Sequence, residues 1–176
     1  MAELKTFLPE TYQSFQELDL LHRHVDELFL HHQAYLMNND LENALLTFEK
    51  IFEYTNQNIK DEEKFLLPYY AAHPESIPQG GAVYFYEREH KLLRREMKKY
   101  LKLYSEALLH PGSVEIDIIK IFDDYYDLKD LFDHHDARER VFLFKVLDEI
   151  MPVEEKEKIL RQIEERQRAL LKRLEM

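Results

Sequence analysis

Two stretches of this chain place metal-ligand side chains four residues apart, the spacing that puts both on one helix face with Cβ atoms roughly 5–6 Å apart. The first reads Asn58-x-x-x-Glu62-Glu63-x-x-Leu66-Leu67-Pro68. The second, about 77 residues later, reads His135-x-x-x-Glu139-Arg140-x-x-Leu143-Phe144. A histidine and a glutamate so placed can bind one cation together or bridge two. Two further histidines, His24 and His90, fall on the two other long helical stretches. The chemistry expected is a buried cation held between four helices.

The elements that must position these residues can be read from breaks and periodicity. All three glycines fall at Gly80–Gly81 and Gly112, with Pro74, Pro78 and Pro111 beside them, so both places separate helices. Asn38-Asn39-Asp40 supplies another turn, with Asp40 as N-cap of the second helix. Pro152 suits the first turn of a last helix, with Glu154 and Glu155 near its positive end. Five helices result, over about 11–37, 40–72, 82–109, 114–150 and 153–174. The fold expected is all-α, an up-down four-helix bundle over 1–151 with an additional C-terminal helix over 152–176.

Spacing of three and four picks out one inward row per helix. The rows are Leu21-His24-Leu28-His31-Tyr35, Ile51-Thr55-Asn58-Glu62-Phe65-Tyr69, Val83-Tyr86-His90-Leu93-Met97-Tyr100 and Leu128-Phe132-His135-Glu139-Phe142-Val146. Each is largely apolar or aromatic with polar groups near its middle. A buried carboxylate costs several kcal/mol unless it is protonated, paired or metal-bound. One cation accounts for all four interruptions.

Composition narrows the classes. With 176 residues, 45% hydrophobic and 34% charged, the chain can bury a sizeable core as one globular domain. It has no cysteine, which excludes disulfides, thiolate ligands and iron–sulfur clusters within this polypeptide. A net charge of −11 argues against nucleic acid as a partner, because phosphate contacts need concentrated Lys and Arg. The basic group Lys91, Arg94, Arg95, Lys98 and Lys99 is interspersed with glutamates and reads as a solvated helix face. No apolar stretch approaches the roughly 18–20 residues of a membrane span and no signal peptide opens the chain, so a cytoplasmic location is expected.

In the order and placement of these pieces, roughly residues 11–150 resemble the hemerythrin-like family, the His-His-Glu cation-binding bundles. Glu62-Glu63-x-x-Leu66-Leu67-Pro68 matches the family's helix ending well, and Glu139-Arg140-x-x-Leu143-Phe144 matches it in part. The resemblance implies two non-heme irons. His24 would bind one, His90 with His135 the other, and Glu62 with Glu139 would bridge them. Asn58 stands where the second helix of the family gives His, and offers only a neutral amide oxygen. Tyr86 stands four residues before His90, where some members carry a second His; as a phenolate it would favour ferric iron.

The implied function is a non-heme di-iron protein that binds or senses oxygen or iron, with dioxygen or another small diatomic as its ligand. A redox enzyme acting on peroxide or nitric oxide is an alternative on the same site. A degenerate bundle that serves as a partner-binding protein is another, and Asn58 speaks for it. His22, His32, His73, His110 and His134 read as surface or loop residues, and His31 as a neighbour of the ligands. The last helix carries Leu160, Ile163, Leu170 and Leu174 amid dense charge, a stripe to be covered by the bundle or by a second copy in a homodimer.

Overall fold

Apolar and aromatic residues recurring every three or four positions fold the chain into helices, joined where the backbone needs special turns. The computed structural model describes residues 8–109 and 114–175, and among these there is no strand. A short 3₁₀ turn at Phe15–Leu18 leads into α1 (Asp19–Met37). Next come α2 (Leu41–Asp61), a π turn (Glu62–Leu66) and α3 (Leu67–Ala71), which run on as one rod. After a 3₁₀ turn at Pro74–Ser76 come α4 (Val83–Leu109) and α5 (Val114–Arg138). A second π turn (Glu139–Leu143) continues α5 into α6 (Phe144–Ile150), and α7 (Val153–Glu175) ends the chain. The break expected at Pro111–Gly112, and His110, lie outside the described residues.

The turns have identifiable chemistry. Asn39 takes a left-handed φ of 58°, which asparagine tolerates, and the Asp40 side chain accepts from the Asn43 amide at 3.3 Å as the N-cap of α2. The segment read as helical from residue 11 becomes helical only at Phe15. There the Phe15 and Gln16 amides donate to the Asp148 carboxylate at 2.9 and 3.1 Å. A side chain from α6 thus satisfies the orphan amides of the entering turn.

The helices pack in a closed sequence: α1 on α2, α2 on α4, α4 on α5, and α5 on α1. Two apolar clusters lie along them. One contains Val25, Phe29, Phe48, Ile51, Leu93, Tyr100 and Phe132; the other contains Leu18, Leu66, Tyr86, Leu143 and Phe144. Burying each such large side chain contributes about 1.5–3 kcal/mol. On α1, the α2 rod, α4 and the α5 rod a set of polar residues falls between the clusters: His22 between Leu18 and Val25, Asn58 between Ile51 and Leu66, His90 between Tyr86 and Leu93, and His135 with Glu139 between Phe132 and Leu143. The polar layer is therefore enclosed above and below by hydrocarbon.

The last helix adds to both clusters. Leu160 and Ile163 join one and Leu170 the other, while Arg166 reaches the buried Asp61 and Tyr12 donates to Gln167 Oε1 at 2.6 Å. Among the described residues no helix is long and apolar enough to cross a membrane.

Candidate metal centre

The residue that α1 brings to the polar layer is His22, not His24. The two stand about 200° apart around a helix, so only one can face a given partner. The buried face of α1 is Leu18-His22-Val25-Phe29-His32-Leu36, and the row through Leu28, His31 and Tyr35 lies toward the outside, with His31 exposed. His24 is buried elsewhere, edge-on to Tyr54 at 5.3 Å between ring centroids. His22 and His32, read from sequence as surface residues, are 6% and 0% exposed.

The other expected ligands do converge. Glu62, His90, His135 and Glu139 each offer a ligand atom within 4.8 Å of the others, and all four are buried. Glu139 also joins His22 and Asp136 in a second such group. Both glutamates open a π turn. The Leu67 amide donates to the Glu62 carbonyl and the Phe144 amide to the Glu139 carbonyl, five residues back instead of four. Such single wide turns are frequent at functional sites in helices. Pro68, which lacks an amide to continue an α ladder, follows the first, but Lys145 holds the equivalent place in the second, so proline is not the shared cause.

Two of the three imidazoles are oriented from behind by a hydrogen-bonded acid. His90 Nδ1 faces Glu63 Oε1 at 3.1 Å, and Arg94 clamps Glu63 with two contacts of 2.8 and 2.9 Å. His135 Nδ1 faces Glu89 Oε2 at 3.2 Å, and Arg138 holds Glu89 from Nε at 2.9 Å. Arg138 is itself anchored, donating to the Gly80 carbonyl at 2.7 Å in a loop where Gly80 takes a φ of 97°. At His22 the arrangement is looser: Nδ1 lies 3.8 Å from Asp19 and 3.9 Å from Asp136, without a hydrogen bond. Asp19 is tied to Arg140 at 2.7 Å and Arg23 at 2.9 Å.

With the Nδ1 atoms turned to acids, the Nε2 atoms point into the layer. They lie 3.0 Å from Glu62 for His90, 2.7 Å from Glu139 for His135, and 3.1 Å from Glu139 for His22. Carboxylate-backed imidazoles with Nε2 presented inward are the usual way proteins fix histidine as a metal ligand. These backing residues (Glu89, Asp19, Arg138 and Arg140) were not legible as site residues. Their one trace in the sequence is that Glu89 adjoins His90, and Arg138 and Arg140 flank Glu139.

Protonation is set by the same contacts. Burial pushes the Glu62 carboxyl well above the usual range, and the charge of Glu139 adds to this, so Glu62 is the protonated acid of the pair. Burial acts against the Glu139 anion too, but His135 and His22 outweigh it and hold its pKa well below normal. Burial likewise opposes charge on His135, yet Glu139 and Glu89 raise it to about 9. His22 rises well above its ordinary value because Asp136, Asp19 and Glu139 overcome its burial. His90 goes the other way, to about 4, from burial and the neighbouring His135 charge.

The donor set fits a cation. Glu139 is fully buried, and neither of its oxygens makes a hydrogen bond despite the two nearby imidazoles; His135 Nε2 makes none either. His135 and His22 offset the Glu139 charge at 2.7 and 3.1 Å, and a cation at the convergence point would in addition satisfy the oxygens that lack a hydrogen bond. Imidazole nitrogen with carboxylate oxygen suits first-row divalent metals. Asn58 donates its amide N–H to Glu62 and lies 3.1 Å from His22 Nε2, so it faces the layer. Tyr86 is buried, with its hydroxyl 3.4 Å from the Arg138 carbonyl. Burial, with the charges of Tyr70, Glu139 and Glu62, raises its pKa and disfavours a phenolate. A cavity of about 10 Å³, room for one water-sized molecule, adjoins the layer among His22, Asn58, His135, Asp136, Leu21 and Phe132.

Comparison with known protein families, curated proteins and solved structures finds no match. The buried His/Glu cluster can hold a metal ion on the strength of its own geometry.

Proposed function

We propose that this chain is a non-heme di-iron carboxylate protein of the hemerythrin-like kind, an up-down four-helix bundle that binds or senses oxygen or iron. The observation that carries this reading is the convergence of His135 and His22 on Glu139, with His90 on Glu62 beside them, and the absence of a hydrogen bond on either buried Glu139 oxygen. In this reading His90 and His135 hold one iron, His22 replaces His24 at the other, and Glu62 with Glu139 lies between them. Bound iron supplies an electrophilic, redox-active centre for a small ligand. The protein's part is to fix His90 and His135 through Glu63 and Glu89, to set the charge at His22 through nearby Asp19, and to exclude bulk water with the two apolar clusters. The small cavity beside His22 and Asn58 has no room for a large substrate. Peroxide or nitric oxide, as reactants of an enzyme on this site, meet the same size limit.

Asn58 favours a second reading. Its hydrogen bond to Glu62 satisfies part of the layer without metal, as expected of a bundle that has given up binding and serves as a partner-binding protein. Reconstitution with Fe²⁺ under anaerobic conditions separates the two. Near two irons per chain and a colour change on admitting air support the di-iron reading, whereas no retained iron supports the degenerate one.

A further inference from the structure

Glu139 belongs to two groups of converging donors, and the groups differ in chemistry. The first, with Glu62, His90 and His135, has two imidazoles. The second has one imidazole, His22, and a further carboxylate, Asp136. Asp136 is the residue directly after His135, so it points about 100° around the helix from it, toward α1. It is 8% exposed, lies 3.9 Å from His22 Nδ1, and lines the small cavity together with Asn58. At the point where the two groups meet, neither oxygen of fully buried Glu139 has a hydrogen bond, and a cation would satisfy both.

We propose that the centre has two unequal cation positions, and that Asp136 completes the second as a direct, oxygen-donating ligand in place of the imidazole that Asn58 does not provide. This rests on the reading of the cluster as a metal centre. His90 and His135 make the first position nitrogen-rich. At the second, His22, Asp136, Glu139 and the adjoining Asn58 amide make an oxygen-rich set, which suits a harder cation such as Mn²⁺ or ferric iron. The positions therefore fill in sequence and not together.

The test is anaerobic titration of the full chain with ferrous ammonium sulfate and, separately, manganese chloride, with metal per chain counted after desalting. The wild type should take two equivalents whose affinities differ by about 10-fold or more, the size of effect a single supporting group commonly has on a metal site. Asp136→Asn, which keeps shape and an acceptor oxygen but loses the charge, should retain one equivalent. Adding Asn58→His to Asp136→Asn should restore the second. Two equivalents at unchanged affinity in Asp136→Asn, or loss of both, overturns the assignment. If that variant folds poorly by circular dichroism, the Mn²⁺ paramagnetic-resonance titration of the wild type decides: two steps support the proposal and one step contradicts it. No metal in the wild type would instead sink the metal-centre reading itself.

Discussion

His135 Nε2 lies 2.7 Å from Glu139 Oε1, one helical turn on, yet the two atoms are not aligned as donor and acceptor. Close approach without a hydrogen bond is what two ligands of one ion look like. Without the ion, the pair is held by charge alone. His135 stays protonated up to about pH 9 and Glu139 stays anionic.

Metal uptake should therefore release protons. His135, His22 and Glu62 all carry a proton near neutral pH in the metal-free layer, and each must lose it to become a ligand. Affinity should rise with pH from 6 up to about 9, and a titration in weak buffer should acidify the solution. The same shift predicts the metal-free stability. The His135 pKa is raised above its unfolded value, so its contribution is complete below pH 6.5 and is lost as pH rises through about 9. Urea unfolding of the metal-free chain at pH 6, 8 and 10 measures that loss.

Glu62 and Glu139 should respond unequally to amide substitution. Glu62 is the protonated partner, and Glu62→Gln resembles it, so metal-free stability should change by less than about 1 kcal/mol. Glu139→Gln leaves His22 and His135 buried without their anion, a loss of about 3–5 kcal/mol. Both variants should lose iron. Thermal unfolding with metal analysis separates the two effects, and equal destabilisation would contradict the protonation assigned here.

Glu89 touches no metal position but orients His135. Glu89→Gln should lower metal affinity about 10- to 100-fold while the chain still folds. Tyr86→Phe should leave both metal content and visible spectrum unchanged, since the Tyr86 hydroxyl turns to the Arg138 carbonyl and resists ionisation. A tyrosinate-to-iron band that disappears in Tyr86→Phe would make Tyr86 a ligand after all.

His32 gives a pH effect of opposite sign, away from the centre. It is buried among Phe48, Tyr104 and Tyr125, with Nδ1 3.1 Å from the Tyr125 hydroxyl, and burial lowers its pKa to about 3. The unfolded chain binds this proton near pH 6.5, so stability is intact above that and falls as pH drops toward 3. The slope is about 1.4 kcal/mol per pH unit for one proton. Urea midpoints at pH 6.5 and 4.5 should show the fall, and His32→Phe should flatten it.

Much of this arrangement was legible in the sequence. Glu62, Glu139, His90 and His135 stand out because each interrupts a long apolar row on a helix with clear ends, and rows of that length leave no other face to bury. α1 was harder. Its histidines at 22, 24, 31 and 32 let two rows be drawn, and only packing against α2 and α5 selects the one through Val25 and Phe29. The π turns could not be read, since a hydrogen bond to the fifth residue back leaves no compositional mark beyond Pro68. Asp136, Glu89 and Asp19 escaped for a related reason. Charged residues on helices are usually solvated, and what makes these different is the neighbouring helix they meet.

Anomalous diffraction at the iron edge from crystals of the Fe²⁺-loaded chain tests the metal centre most directly. Scattering peaks should lie between Glu62 and Glu139, one against His90 and His135 and the other against His22. Peaks at surface acids only, or beside His24 with His22 turned away, would contradict the metal centre described.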